Sequence, residues 1–445
     1  MKKPFLFFIL LMYAASLYAQ ESAKPGFSLQ EAIKYAIEHQ PNVINASLEE
    51  KIAMQQVNEL TGLGTPQITG SAEINNFLKI PTSFVPGEFF GGEPGTFFPV
   101  QFGQQYTASA GITATQLIFD GTYLVGLKAS RTFQELSRKK YNQSRIDAAI
   151  AVTKAYYGVL VMDQRMKIVD ANLERVNKIK NDTKELYKNG FAEKVDVDRL
   201  DLTYNNLLVE RDKIDRYKLF SYALLKFQMG LDPKVDILLT DRLDALQMPT
   251  DIPADTADVS KRPEYEVVQV QRQLAELDIK RYRSQYYPNL IGFGTYSTNA
   301  GRTEFNIFSS EYRWFPTAII GVKLNVPIWD GMQKNALISQ SKLRLQQTDN
   351  AILNLRNSVQ LEYTNALANF NNYKATLETT RKNRELAAEI ARVAKIKYDN
   401  GLGSSLEMID AESSMREADA NYFNTLYETI IAKVDLDKAA GNLKY

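Results

Sequence analysis

The 445-residue sequence contains no cysteine and a single histidine, His39. The first absence excludes disulfides, thiolate metal sites and cysteine nucleophiles; the second leaves a histidine-based catalytic pair without support. Neither sign of charge is in excess, with 53 Lys and Arg against 52 Asp and Glu, so no broad field favours nucleic acid. Beyond the N-terminus there is no run of 18 apolar residues, so no membrane-spanning helix is expected. No metal cluster, nucleophile–histidine pair or phosphate loop is visible, so neither an enzyme nor a cofactor is expected.

Residues 1–20 read MKKPFLFFILLMYAASLYAQ. Lys2 and Lys3 precede a mostly apolar stretch of about 13 residues, too short for a bilayer, which needs roughly 20. With Ala19 as cleavage point, 1–19 is a secretory signal; a retained anchor is the alternative. Cleavage leaves 51 basic against 52 acidic side chains, and no cysteine for lipid attachment. A secreted chain without apolar helices either stays free or enters a membrane as a β-barrel.

What the sequence does have is a duplication. QLIFDG at 116–121 recurs as VPIWDG at 326–331. YKNGFAEKVDVDRLD at 187–201 recurs as YDNGLGSSLEMIDAE at 398–412, and TPQITGSAE at 65–73 corresponds to YPNLIGFGT at 287–295. Two tandem repeats follow. The first, 20–260, holds a helix, strands at about 66–78 and 105–119, a long helix at 121–186, a helix at 193–230 and a segment at 231–260 with Pro233, Pro249 and Pro253. The second, 261–445, holds a helix at 263–286, strands at about 288–299 and 315–328, a long helix at 331–398 and a helix at 405–443.

The strands alternate to different degrees. Ala318, Ile320, Val322, Leu324, Val326 and Ile328 oppose Thr317, Gly321, Lys323 and Asn325; Ile68, Ala72 and Ile74 oppose Gln67, Thr69, Ser71, Glu73 and Asn75. Ala108, Ala110, Ile112 and Ala114 oppose Thr107, Ser109, Thr113 and Thr115, whereas Gly292 and Gly294 blur the third strand. Lipid outside and water inside fits this pattern, and so does an ordinary sheet with one wet face. The long helices, each about 100 Å at 1.5 Å per residue, carry heptad spacing in Met166, Val169, Leu173, Val176 and in Ile352, Leu355, Val359, Ala366, Tyr373, Leu377. From length alone, 195–230 is expected to stack end to end on 263–286, and 406–443 on 28–63. Ser28 and Glu31 form a capping box opening the first helix, which Pro41 kinks or restarts.

The repeated aromatic-Asp-Gly elements mark strand-to-helix junctions. Phe119 and Trp329 suit a membrane interface. Asp120 and Asp330 are placed to cap the following helices, and Gly121 and Gly331 to permit the change of direction.

With its opening SLQEAIKYAIEHQPNV, its middle RPEYEVVQVQRQLAELDIKRYRSQYYPNL, both aromatic-Asp-Gly elements and both Tyr-x-x-Gly tips, the chain resembles the TolC-like outer-membrane efflux protein family. The resemblance implies a mainly α fold with membrane β: four strands per chain in a twelve-stranded barrel closed by a homotrimer, continued by a coiled-coil α-helical barrel across the periplasm. It implies a passive exit duct in the outer membrane, working with a periplasmic adaptor and an inner-membrane pump. Adaptors dock at the helical tips, which here are 187–198 and 398–410. Tyr187, Gly190, Phe191 and Asp196 match the first tip, and Tyr398, Gly401, Leu402 and Glu407 the second; Phe191 stands where the family usually has leucine. Glu193, Asp196, Asp399, Glu407 and Asp410 are candidates for a cation-favouring entrance, solvated surface acids being the alternative. A secreted coiled-coil structural or adhesion protein with a small soluble sheet is the competing function.

Three further features stand outside this scheme. The segment 81–105 carries Phe84, Phe89, Phe90, Phe97, Phe98 and Phe102, reading either as a lid or as a self-packed loop. Tyr286, Tyr287, Tyr312, Trp314 and Phe315 suit aromatic girdles, and Lys280, Arg281 and Arg283 either contact lipid headgroups or end a helix in water. His39 lacks metal partners and reads as a helix-end contact.

Overall fold

A computed structural model describes residues 25–243, 258–309, 311 and 313–443. The expected signal segment 1–19, Pro249, Pro253 and Tyr312 lie outside them. In chain order the elements are β1 (Gly26–Phe27), α1 (Leu29–His39), α2 (Pro41–Leu63), β2 (Gln67–Asn76), β3 (Thr82–Pro86), β4 (Phe97–Gln101), β5 (Tyr106–Phe119), α3 (Gly121–Lys188), α4 (Lys194–Met229), β6 (Leu238–Leu239), α5 (Pro263–Ser284), β7 (Asn289–Arg302), β8 (Phe315–Asn325), α6 (Gln333–Asp399) and α7 (Ser405–Ala440). The fourth strand stops at Asn325, short of 328, because Pro327 has no N–H to extend a ladder. The following helix starts at Gln333 rather than 331.

The chain forms two compact units that cut across the tandem repeats. One is the described part of Met1–Glu50, Ser137–Gln269 and Ala351–Tyr445; the other is Lys51–Leu136 with Val270–Asn350. Each unit takes pieces of both repeats because the repeats pair with each other.

In the helical unit, Ala32, Ile33 and Ala36 of α1 pack with Ala149, Val152, Tyr156 and Val159 of α3, Leu225 and Met229 of α4, and Phe423 and Ile430 of α7. The Tyr156 ring is fully buried. Its hydroxyl donates to the Phe27 carbonyl at 2.9 Å and to Asp241 at 3.0 Å, while Asp241 also accepts the Leu29 N–H at 2.8 Å. Burial and the adjoining carboxylate push the phenol well above its ordinary range. This knot fastens β1, which pairs in parallel with β6, to the helical core. The Met166, Val169, Leu173 and Val176 stripe packs on Leu207 and Ile214 of α4. On the other long helix, Tyr363, Ala366 and Phe370 pack on Ala432, Leu436 and Ala439 of α7.

Ser28 and Glu31 close the capping box at α1, and Pro41 opens α2 as a separate helix. His39 stacks on Tyr35 at 3.9 Å and hydrogen-bonds its carbonyl at 3.0 Å.

The end-to-end arrangement differs from the expected one. Gly230, which ends α4, abuts His39 and Gln40 at the α1–α2 junction, and Gly441, which ends α7, abuts Lys261 just before α5. Each short helix therefore meets a partner from its own repeat. Length could not decide this: α2 has 23 residues and α5 has 22, so either exchange fits equally well. Arg262 seals the second contact. It donates to the Lys438 carbonyl at 2.8 Å and pairs with Glu264 at 3.1 Å and Glu362 at 2.9 Å.

Gly230 has φ 72°, and a Cβ there would lie 2.7 Å from the His39 carbonyl oxygen and 2.8 Å from the Gln40 Cα. Both are backbone atoms that cannot swing aside. Gly230→Val is expected to destabilise the helical unit by about 2 kcal/mol or more, the left-handed conformation alone costing about 1–2 kcal/mol. Gly190→Ala, at φ 79° with open space around it, should cost only that conformational part. Thermal melting followed by helical circular dichroism checks the difference; equal losses would remove the contact argument.

Candidate functional site

The sheet unit is built on a four-stranded antiparallel sheet in the order β2-β5-β7-β8. Directly paired residues share a face, so the register decides which side each residue occupies. Ile68 pairs with Ala114, Ala72 with Ala110 and Ile74 with Ala108. Ala108 pairs with Ala300, Ile112 with Tyr296 and Ala114 with Gly294. Leu290 pairs with Leu324, Gly292 with Val322 and Gly294 with Ile320. The apolar sets of all four strands thus fall on one face. Gly292 and Gly294, ambiguous in sequence, belong to that face and leave room beside Val322 and Ile320.

The opposite face carries Gln67, Thr69, Ser71, Glu73, Thr107, Ser109, Thr113, Thr295, Ser297, Asn299, Thr317 and Lys323. Thr113 and Thr295 share a hydroxyl hydrogen bond across it at 3.1 Å. Leu117, Ile291, Phe293 and Ile319 are apolar exceptions on this face, and the Phe293 ring lies over Gly321, where a Cβ would come within 2.8 Å. The outer strands β2 and β8 each have one side unpaired among the described residues. Ile320 is 91% exposed on the apolar face.

A bulge between Leu117 and Phe119 breaks the alternation, so that Phe119 pairs with Leu290. By uninterrupted alternation Phe119 would point to the polar face. The extra residue turns it to the apolar one, and Ile118 lies over Gly292. No local signal announces the bulge, because it exists only relative to the partner strand.

The two junctions solve the strand-to-helix turn differently. Asp120 Oδ1 accepts the N–H groups of Thr122 at 2.7 Å and Tyr123 at 3.0 Å. Gly121 is already helical there; its value is closeness, since a Cβ would approach Ser284 within 3.1 Å. At the other junction Gly331 and Met332 both take positive φ, 65° and 68°. Asp330 accepts the Lys334 N–H at 3.0 Å and pairs with its ammonium at 3.2 Å. Of the two junction glycines only Gly331, then, serves the change of direction in the left-handed region. Trp329 is 77% exposed.

The segment 82–101 folds as a β3–β4 hairpin in which Phe84 pairs with Pro99 and Pro86 with Phe97, and its phenylalanines stay exposed.

Both helical hairpins turn through the same device, and their tip glycines lie 211 residues apart. Gly190 N–H donates to the Tyr187 carbonyl at 3.0 Å and Phe191 N–H to Leu186 at 2.9 Å; Gly401 and Leu402 repeat this onto Tyr398 and Lys397 at 2.9 and 2.8 Å. Phe191 and Leu402 project 82% and 81% exposed. The hairpins are tied to each other. Tyr398 shares a 2.6 Å hydroxyl hydrogen bond with Thr183, Ser405 hydrogen-bonds Asp196, and Ile179, Leu200 and Met408 pack between them. Asp196 also accepts the Glu193 N–H at 3.3 Å. Glu407 pairs with Lys397 at 3.2 Å and Asp399 with Lys395 at 2.7 Å, whereas Glu193 and Asp410 stand exposed.

A four-stranded sheet with one apolar face and long coiled-coil helices match a known group. The model of the family described as outer membrane efflux protein matches residues 32–206 and 259–442. The chain belongs to that family. It is 21% identical over 445 residues to the outer membrane protein TolC of Vibrio cholerae, covering 97% of this chain and 95% of the relative. It is 22% identical over 347 residues to the probable efflux pump outer membrane protein TtgC of Pseudomonas putida, covering 76% and 69%. Among solved structures, the Campylobacter jejuni CmeC outer membrane channel superposes with TM-score 0.73 at 16% identity, covering 94% of this chain and 86% of that one. The outer membrane protein VceC of Vibrio cholerae gives 0.68 at 16%, covering 93% and 96%. These likenesses establish the fold, and membership makes this an outer-membrane efflux channel, not an enzyme. The alternative of a secreted adhesin is thereby set aside.

Proposed function

We propose that three copies close into one exit duct, fed by an inner-membrane pump through a periplasmic adaptor. The observation that carries this reading is the shared apolar face of four strands whose two outer edges are unpaired among the described residues. In hydrocarbon an unpaired edge costs several kcal/mol per unsatisfied backbone group, so β2 of one copy must meet β8 of the next. Eight strands, from two copies, give an interior filled by side chains; twelve leave a water-filled bore lined by the Thr, Ser, Asn and Lys face.

Detergent-folded protein is expected to migrate as a heat-modifiable trimer and to conduct in planar lipid. Monomeric, electrically silent material would end the proposal.

The tips are the docking surface for the adaptor. Phe191 and Leu402 present equivalent apolar knobs, and the turns behind them, with Tyr187, Gly190, Tyr398 and Gly401, fix their placement. Asp196 and Glu407 serve the tips from within, through Ser405 and Lys397. Phe191→Asp combined with Leu402→Asp should reduce export in cells at least tenfold, measured as drug susceptibility with the cognate pump present, while trimer conductance stays unchanged. Unimpaired export would remove the knobs from the docking surface. Glu193 and Asp410 are the exposed acids that favour cations at the entrance, Asp399 being offset by its pairing with Lys395, and Asp410→Ala recordings with unchanged selectivity would reject that role.

A further inference from the structure

The helix ends next to the sheet are strongly basic although the whole chain is nearly neutral. In 121–132, 277–287 and 331–344 stand Lys128, Arg131, Lys280, Arg281, Arg283, Lys334, Lys342 and Arg344. Against these eight there is one acid, Asp278, and in the nearby stretch 56–64 one more, Glu59. Asp120 and Asp330, just outside, are engaged as helix caps.

The fold gathers these segments at one end of the sheet unit. Gly121 at the start of α3 lies against Ser284 and Tyr287 at the end of α5. Ser341 of α6 donates to Asp278 of α5 at 3.1 Å. Asp278 is the common carboxylate for Arg281 at 2.7 Å and Arg344 at 4.0 Å, and Lys334 takes Asp330. That leaves Lys128, Arg131, Lys280, Arg283 and Lys342 exposed and without a carboxylate in ion-pair reach among the described residues. Five like charges at one end repel each other unless something outside the chain supplies anions.

What lies beside them identifies the source. Ile328, Trp329, Tyr286 and Tyr287 are 92%, 77%, 49% and 63% exposed at the same helix–strand junctions. Aromatic side chains of this kind mark the level of lipid headgroups, and Lys334 lies 5.2 Å above the Tyr286 ring. The apolar sheet face begins at Leu290 and Phe119, directly beyond.

We propose that this basic end is a binding surface for the acidic phospholipid headgroups of the periplasmic leaflet. The surface rests on the outer-membrane reading and gives it a chemical preference. Phosphate oxygens neutralise Lys128, Arg131, Lys280, Arg283 and Lys342 while the aromatic residues hold the depth. Each basic side chain near an anionic surface contributes roughly 1 kcal/mol, about fivefold in association, at physiological salt.

The test reconstitutes the full chain in mixed vesicles of phosphatidylglycerol and phosphatidylcholine and measures, with spin-labelled lipids of each headgroup, which are held at the protein surface. The native chain is expected to favour phosphatidylglycerol at least threefold at low salt, with the preference collapsing at high salt. Replacing Lys128, Arg131, Lys280 and Arg283 together by Gln should bring it close to one, while Lys213→Gln on α4 leaves it intact. No headgroup preference in the native chain, or a preference untouched by the four substitutions, overturns the proposal. A change in ion selectivity without a change in lipid preference also overturns it, placing these side chains in the bore. Loss of trimer or conductance in the same sample speaks against the ring closure alone, since lipid preference is read whatever the oligomeric state.

Discussion

Ile320→Arg should abolish the heat-resistant trimer and its conductance, whereas Ser71→Arg should leave both in place. The two sites lie near the middle of the outer strands β8 and β2 but on opposite faces. Ile320 pairs with Gly294 on the face that also holds Ala114 and Ile68; Ser71 pairs with Gly111 on the face that holds Ser297. An arginine facing lipid at the bilayer midplane costs about 2–4 kcal/mol, and a threefold assembly incurs it three times. On the other face the guanidinium stays in water and adds positive charge to the bore, so conductance should persist with selectivity moved toward anions. Equal tolerance of the two substitutions, scored by unheated gel migration and planar-lipid recording, would mean that the faces are not lipid and water.

The second large effect belongs to the helical unit. Glu412 of α7 is almost fully buried and pairs with Arg175 of α3 at 3.3 Å. Burial raises its carboxyl above the ordinary range, and Arg175, Arg416 and Lys395 pull it partly back down. Arg175→Met removes the nearest of these cations and strands a buried carboxylate, which costs about 3–5 kcal/mol when it is ionised. The sign follows from the proton. A carboxyl whose folded pKa exceeds its unfolded one binds its proton more tightly when folded, so stability is fullest below the unfolded pKa and is lost as pH rises through the folded one. The variant should therefore melt far below the native protein at pH 8 and recover much of the gap at pH 5. The double variant Arg175→Met with Glu412→Gln should lose the pH dependence. A melting deficit of equal size at both pH values would put the effect in packing.

The legible part of the fold was whatever a single segment states by itself. The capping box at Ser28 and Glu31, the proline restart at Pro41 and the glycine tips at Gly190 and Gly401 are local devices, each completed within a few residues. The long helices were readable because neither breaks its heptad stripe. The third strand was not readable: Gly292 and Gly294 carry no side chain to declare a face, and only pairing with Val322 and Ile320 assigns one. Phe119 faces opposite to its alternation because of a bulge that has no meaning without β7. Gly121 and Gly331 look identical in sequence yet serve different ends, one permitting contact with Ser284 and the other a left-handed turn.

By itself the sequence determined the duplicated plan, the absence of a catalytic inventory, the helix lengths and the polar–apolar alternation of three strands. These follow from chain-local chemistry: capping, proline geometry, glycine turns and periodicity. Tertiary structure alone decided which helices meet end to end, that all four apolar faces coincide, and which tip acids are engaged. Each of these depends on partners some tens to hundreds of residues away, and lengths or patterns that fit two partners equally well cannot choose between them.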